Sequence, residues 1–211
     1  MTQLVRAVGF LDLAMYTSLT DVHGDEAAAD VVDRFCAVVR DALGNDDVLV
    51  KSIGDAVLVH SADPDALAAL AARVCVRLDA EPAFPVLRVG LHVGPVLLRA
   101  GDIFGGTVNI AARVAAQAHG GQVLATAAFA DDLVDDRWPR SPLGAVQFKG
   151  LPDAVDVVEL ELCPHPEQRQ IDPACGMAVA AGAAAATVRL EGEEIAFCSR
   201  DCLVRWAAGL R

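Results

Sequence analysis

No stretch of about 18 apolar residues runs unbroken through the 211-residue chain, so no segment reads as a bilayer-spanning helix. Nor does the N-terminus read as a secretory leader, because the apolar stretch after Arg6 meets Asp12 before any small-residue cleavage site. A cytoplasmic protein with no membrane partner is the expectation. Cations are scarce: 17 Lys and Arg against 29 Asp and Glu leave a formal charge of −12, which repels a phosphate backbone and argues against a nucleic-acid partner. A nucleotide is still acceptable to such a chain where metal ions and a few local cations neutralise its phosphates. Internal repeats are lacking, and 54% apolar against 22% charged residues excludes a disordered chain. The length suits one core of about 150 residues and a small appendage.

Cysteine is sparse until the last fifth of the chain. Cys36 and Cys75 sit in apolar helical patterns and read as small core residues, whereas Cys163, Cys175, Cys198 and Cys202 crowd the end. In a cytoplasmic chain such crowding points to metal before disulfides.

Periodicity gives the organisation. Val5 to Leu13 reads as a buried strand and Thr17 to Asp25 as a polar turn. A helix follows, carrying Val31, Val32, Phe35, Val38, Val39 and Leu43, and Gly44 stops it. Val48 to Ser52 and Ala56 to His60 read as a hairpin around Ile53-Gly54-Asp55. Asp63 caps a second helix that has Pro64 in its first turn. Val86 to Val93 is a strand, and Gly94-Pro95 is expected to turn the chain so that Val96 to Leu98 pairs back on it. This β-α-β-β-α-β order is the ferredoxin-like pattern, an α+β class with helices on one face of a sheet. A helix over about Val108 to Ala118 and strands at 122–125, 145–149 and 155–160 complete a domain of residues 1–162. Residues 163–170 read as a proline-bearing linker and 171–211 as a separate module.

Asp12 ends the first strand and Asp55 lies at the hairpin tip. In a ferredoxin-like sheet these are neighbours, so the carboxylates can converge to hold two divalent ions about 4 Å apart. Taken singly they read as a strand-end cap and an ordinary Gly-Asp turn. Asn109 and Arg113 stand four apart on one helix face, suited to orienting a ribose and bracing a phosphorane charge, although taken alone a solvated face is the better account of them.

Longer segments carry a family resemblance. Phe10-Leu11-Asp12-Leu13-Ala14-Met15-Tyr16-Thr17 resembles the first metal-binding motif of class III adenylate and guanylate cyclases, and Lys51-Ser52-Ile53-Gly54-Asp55 the second. The run from Leu87 to Val96 is similar to the central strand and turn of that family, the run from Asp102 to Arg113 to its base-reading and catalytic segment, and Phe148-Lys149-Gly150-Leu151 also fits. The resemblance covers about Val5 to Leu160. It implies that Asp12, Asp55 and the Leu13 carbonyl hold two Mg2+ or Mn2+ ions per active site. It implies further that Lys51 and Asp102 select the base and that Asn109 and Arg113 are catalytic. Adenine offers an amino donor at its 6 position and an acceptor at N1, matching Asp102 and Lys51; guanine presents the reverse, so ATP is the expected substrate. Arg99 and Lys149 are candidates for the outer phosphates. The implied reaction is in-line attack of the ribose 3′-oxygen on the α-phosphorus, giving cyclic AMP and pyrophosphate, at sites shared across a head-to-tail homodimer. One departure is Met15, which stands where the family usually has glycine. A thioether there either crowds the phosphate loop or points into the core.

In the tail, Asp172-Pro173-Ala174-Cys175-Gly176-Met177 and Phe197-Cys198-Ser199-Arg200-Asp201-Cys202 resemble a YHS domain, a small treble-clef-like module. The resemblance implies Cys175, Cys198 and Cys202 as ligands, for Zn2+ or Cu+. Ile195-Ala196 replaces the usual aromatic pair, and no histidine lies between Cys175 and Cys198; Asp172, His165, Cys163 or water is then the fourth ligand. A metal-free cluster buried beside Trp206 is the alternative. Two functions follow: an adenylate cyclase tuned by metal in its tail, or a weak or inactive cyclase fold that senses metal or nucleotide.

Overall fold

A computed structural model describes residues 3–81, 83–162, 169–180 and 182–209. Its central strand, β1 (Gln3–Leu13), is apolar on both sides because both are covered. Ala7, Leu11 and Leu13 enter the main core, while Val8 and Phe10 enter a smaller one on the opposite face. Period-two alternation places Asp12 on the Val8 and Phe10 face.

Two helices follow, α1 (Tyr16–His23) and α2 (Asp25–Ala42). The polar turn expected over Thr17 to Asp25 is therefore mostly helix. Locally α1 has little to announce it: its N-cap is Met15 in a left-handed conformation (φ 59°) with no capping side chain, and it is only eight residues long. Packing supplies what propensity does not, through a fully buried Leu19 and contacts with α2.

The hairpin β2 (Val48–Ile53) and β3 (Ala56–Ser61) turns through Gly54 at φ 62°. α3 (Pro64–Asp79) starts as its sequence dictates, with the Asp63 carboxylate accepting from the Ala66 amide at 2.9 Å. β4 (Leu87–Arg99) corrects the expected turn at Gly94-Pro95. The strand continues through both, opposite Arg6 and Val5 of β1, and turns only at Ala100-Gly101, where both φ are positive. It pairs back on β5 (Asp102–Phe104), which leads into α4 (Gly106–Gln117). β6 (Val123–Thr126), α5 (Ala127–Asp131), β7 (Arg140–Val146) and β8 (Val155–Leu160) complete the domain. The strand expected over 145–149 starts earlier, at Arg140, where Pro142 and a register shift before Gly144 break its alternation.

The main sheet runs β2-β3-β1-β4-β6-β8-β7, with β5 hydrogen-bonded to β4 and only the β4–β6 pair parallel. Its first four strands have the ferredoxin-like order. The core formed with α2 and α3 fills one face, and α4 covers part of the other through Ala111 and Val108. Cys36 and Cys75 are buried in the main core.

The tail adds two small sheets, β9 (Arg169–Ile171) with β10 (Ala178–Ala180) and β11 (Ala186–Leu190) with β12 (Glu193–Phe197), then α6 (Arg200–Gly209). It abuts the large domain: the Ala178 amide donates to the Phe84 carbonyl at 3.0 Å, and the Arg169 guanidinium donates to the Glu81 carbonyl at 3.1 Å. Most of the expected linker, 163–168, lies outside the described residues, as do Cys163 and His165. No helix among the described residues is long and apolar enough to cross a membrane.

One contact fixes α4. A methyl group on Gly90 of β4 would sit 2.0 Å from the Ala115 nitrogen and 2.6 Å from the Ala111 carbonyl oxygen, so helix backbone rests directly on strand backbone. Gly90→Ala is therefore expected to cost about 3 kcal/mol and lower Tm by about 6–12 °C. Gly106→Ala, which meets nothing within 4 Å, should leave Tm within about 2 °C of the parent. Calorimetric unfolding compares the two; equal melting temperatures would refute the close packing.

Candidate functional site

Asp12 and Asp55 come together where β1 runs out beside the β2–β3 hairpin. Asp12 lies opposite Ala56, and the Leu13 amide donates to the Asp55 carbonyl at 3.2 Å. The Asp12 side chain is 14% exposed. Burial and the neighbouring Asp55 charge raise its pKa above the ordinary carboxylate range, against the opposing pull of Arg88. Two carboxyl groups this close, one of them partly buried, make a site that favours a bound cation. The donor set, hard oxygens at a strand end, fits Mg2+ or Mn2+.

Arg88 was not singled out by the sequence. It lies opposite Asp12 in the β1–β4 register, and its Nε and an Nη both reach Asp12 Oδ2 at 2.6 Å. Both contacts fall on one oxygen. Its visible signal is only its place in β4, two residues before Gly90.

Lys51 and Asp102 are brought together from β2 and β5: Nζ donates to Oδ2 at 2.6 Å. The Asp102 Oδ1 also accepts from the Ile103 amide at 2.8 Å. These bonds, with Lys51 first, hold the Asp102 pKa below its usual value. The ammonium lies 6.0 Å from the centre of the Phe104 ring, which is 47% exposed. Asn109 and Arg113 occupy the outer face of α4, and no hydrogen bond or ion pair among the described residues engages either side chain. Arg99, in register with Asp102, and Lys149, after β7, are likewise exposed.

The backbone at Met15 accounts for the glycine expected there rather than for the methionine. Its φ of 59° lies in the left-handed region that glycine enters freely. Met15 is 41% exposed rather than in the core, and Gly176 of the tail sits against it.

A second cluster forms where the tail meets α1. Cys175, Cys198 and Cys202 converge with His23, and one sulfur or ring nitrogen from each lies within 4.8 Å of the others, a group that could hold a metal ion. Hydrogen bonding from Cys175 and burial push the Cys198 thiol pKa upward, and burial pushes that of Cys202 up to about 12. Asp172 is otherwise employed: fully buried, it accepts from the Ala174 and Cys198 amides at 2.8 Å each. Nothing local in the sequence marks His23, which is 152 residues from Cys175 and lies in a segment expected to be a turn.

Comparison with known proteins agrees with this architecture. Residues 5–160 match the family described as the adenylate and guanylate cyclase catalytic domain. An uncharacterized protein of Mycobacterium tuberculosis is 39% identical over 166 residues, 78% of this chain and 43% of that protein. The adenylate cyclase of Glutamicibacter nicotianae is 41% identical over 136 residues, 63% of this chain and 33% of its own. The chain thus spans less than half the length of these curated relatives. Among solved structures, a Trypanosoma brucei adenylate cyclase in its monomeric state superposes with a TM-score of 0.69 at 24% identity, covering 76% of this chain and 89% of that one. The adenylyl cyclase CyaB of P. aeruginosa gives 0.63 at 19% identity, covering 75% and 94%. The share of the chain matched by the family, together with this shared fold, makes the protein a member of the adenylate and guanylate cyclase catalytic-domain family.

Proposed function

We propose that the chain is an adenylate cyclase, converting ATP to cyclic AMP and pyrophosphate at sites shared between two copies. The observation that carries the choice of base is the Lys51–Asp102 ion pair beside an exposed Phe104 ring. The pair offers an acceptor and a donor side by side, complementary to the 6-amino group and N1 of adenine and mismatched to guanine. Relatives at 36–41% identity bear the name adenylate cyclase, in keeping with that choice.

The chemistry asked of the residues is modest. The ribose 3′-oxygen bonds to the α-phosphorus as the bond to the bridging α–β oxygen breaks; pyrophosphate leaves and the 3′ proton passes to water. Asp12, Asp55 and the Leu13 carbonyl are the groups to hold Mg2+ or Mn2+, which when bound neutralises the triphosphate and makes the 3′-oxygen more nucleophilic. Arg113 supplies positive charge where the phosphorane develops it, Asn109 orients the ribose, and Arg99 and Lys149 contact the outer phosphates. The unengaged side chains of Asn109 and Arg113 support a shared site, as does the apolar surface on the two hairpins, where Ile53 is 47% and Leu98 41% exposed. A second copy arranged head to tail would cover that surface and bring Asn109 and Arg113 to the aspartates of the first. The tail is read as a YHS-like metal-binding module, and the protein as cytoplasmic.

Purified protein incubated with Mn2+ and either ATP or GTP should yield cyclic AMP, with kcat/KM for ATP at least about 10-fold above that for GTP. Asp55→Ala should reduce product at least about 1,000-fold. Product no higher than in that variant would leave the metal or nucleotide sensor as the better reading. Mixing inactive Asp12→Ala and Asn109→Ala chains should restore activity, because a heterodimer retains one intact site. Persistent inactivity in a verified heterodimer would overturn the shared site.

A further inference from the structure

We propose that His23 of the cyclase domain completes a Cys3His zinc site with Cys175, Cys198 and Cys202, clamping the tail onto α1 and so bracing the turn that follows the catalytic aspartate. The ligand set stands on its own geometry; the bracing of catalysis rests on the cyclase reading.

Four of the six distances among the donor atoms match the edges of a tetrahedron, and the other two are no longer than 4.8 Å. Cys198 Sγ lies 3.5 Å from both Cys175 Sγ and Cys202 Sγ, and His23 Nε2 lies 3.7 Å from Cys198 Sγ and 3.6 Å from Cys202 Sγ. Arms of about 2.3 Å to sulfur and about 2.0 Å to nitrogen generate edges of about 3.5–3.8 Å. Disulfides do not explain the cluster, since bonded sulfurs sit about 2.05 Å apart. Three thiols and an imidazole in this arrangement select Zn2+ over the oxygen-seeking Mg2+.

The surroundings are built for the site. Asp172 ties the backbone at Ala174 to that at Cys198, fixing the two ligand-bearing segments relative to each other. Cys175, Phe197 and Cys202 are the buried centre of the tail, with Trp206 against Phe197 at 5.4 Å. So small a core leaves the module dependent on a staple.

His23 makes that staple a bond between domains. It is the last residue of α1, whose eight residues span about 12 Å. At the opposite end of the helix, a methyl on Gly176 would meet Met15 Cβ at 2.8 Å and the Ala14 carbonyl oxygen at 3.1 Å. The tail therefore grips α1 at both ends, by a ligand at His23 and by the turn after Cys175 at Met15. Asp12 and Leu13 lie immediately upstream of that grip. Occupancy of the thiolate site fixes α1 and the left-handed Met15 turn; loss of the ion releases both, and the neighbouring phosphate-binding loop loses its brace.

The test uses the full chain. Elemental analysis should find one tightly held Zn2+ per chain, and Co2+ replacement should give the intense visible bands of a tetrahedral thiolate site. His23→Ala should weaken zinc at least about 100-fold and change the Co2+ spectrum, while His23→Cys should restore tight binding and so control for folding. Wild-type zinc affinity and an unchanged spectrum in His23→Ala would overturn the ligand assignment, as would tight Cu+ with no retained Zn2+. Stripping zinc from the wild type should raise KM for ATP about tenfold, and the same treatment should do nothing further to His23→Ala. Hydrogen exchange over residues 14–23 reads the same coupling without turnover: protection should fall when zinc is removed. Unchanged protection there sinks the coupling even if the chain makes no cyclic AMP, whereas absent cyclic AMP with altered protection sinks only the cyclase reading.

Discussion

Asp12 is held by the register of β1 between β3 and β4, opposite Ala56 on one side and Arg88 on the other. Much else follows from that placement. β1 ends one residue later, so the hairpin tip with Asp55 closes beside it and Met15 must turn the chain into α1. The same sheet lets α4 rest on Gly90, which fixes the helix that carries Asn109 and Arg113. A slip of one residue would send Asp12 to the opposite, fully packed face.

Charge gives this arrangement its chemistry. In a chain of formal charge −12, two adjoining carboxylates repel each other, and a counter-cation or a shared proton relieves that repulsion. Arg88 supplies part of that relief through a single oxygen of Asp12, and the proposed divalent ions would supply the rest. The proposed nucleobase end would be neutralised differently, by pairing Lys51 with Asp102, so that it would offer direction rather than net charge. The proposed metal-binding anion site and neutral base-reading pair would together match a nucleoside triphosphate.

The parts legible in the sequence were those whose signals are local or repeated. The Asp63-Pro64 start of α3, the alternation around Gly54 and the apolar run of β1 each announce themselves within a few residues. The four-strand order followed from their sequence. What escaped depends on distant partners. α1 has no cap and one buried leucine, and exists because α2 and the tail pack on it; Gly94-Pro95 looks like a turn but is carried through by β1. Arg88 and His23 escaped for the same reason, since each is defined by a residue at least 76 positions away. The histidine that reaches the cysteines of the tail, His23, comes from α1, far upstream.

The central claim is that the nucleotide site is divided between two copies of the chain. Anomalous diffraction from crystals grown with Mn2+ and an ATP analogue that cannot cyclise tests it directly. The account predicts Mn2+ peaks between Asp12 and Asp55 of one copy, with the adenine against Lys51 and Asp102 of the other. Adenine bound by Lys51 and Asp102 of the copy that holds its metal, or no Mn2+ at the aspartates, would contradict it.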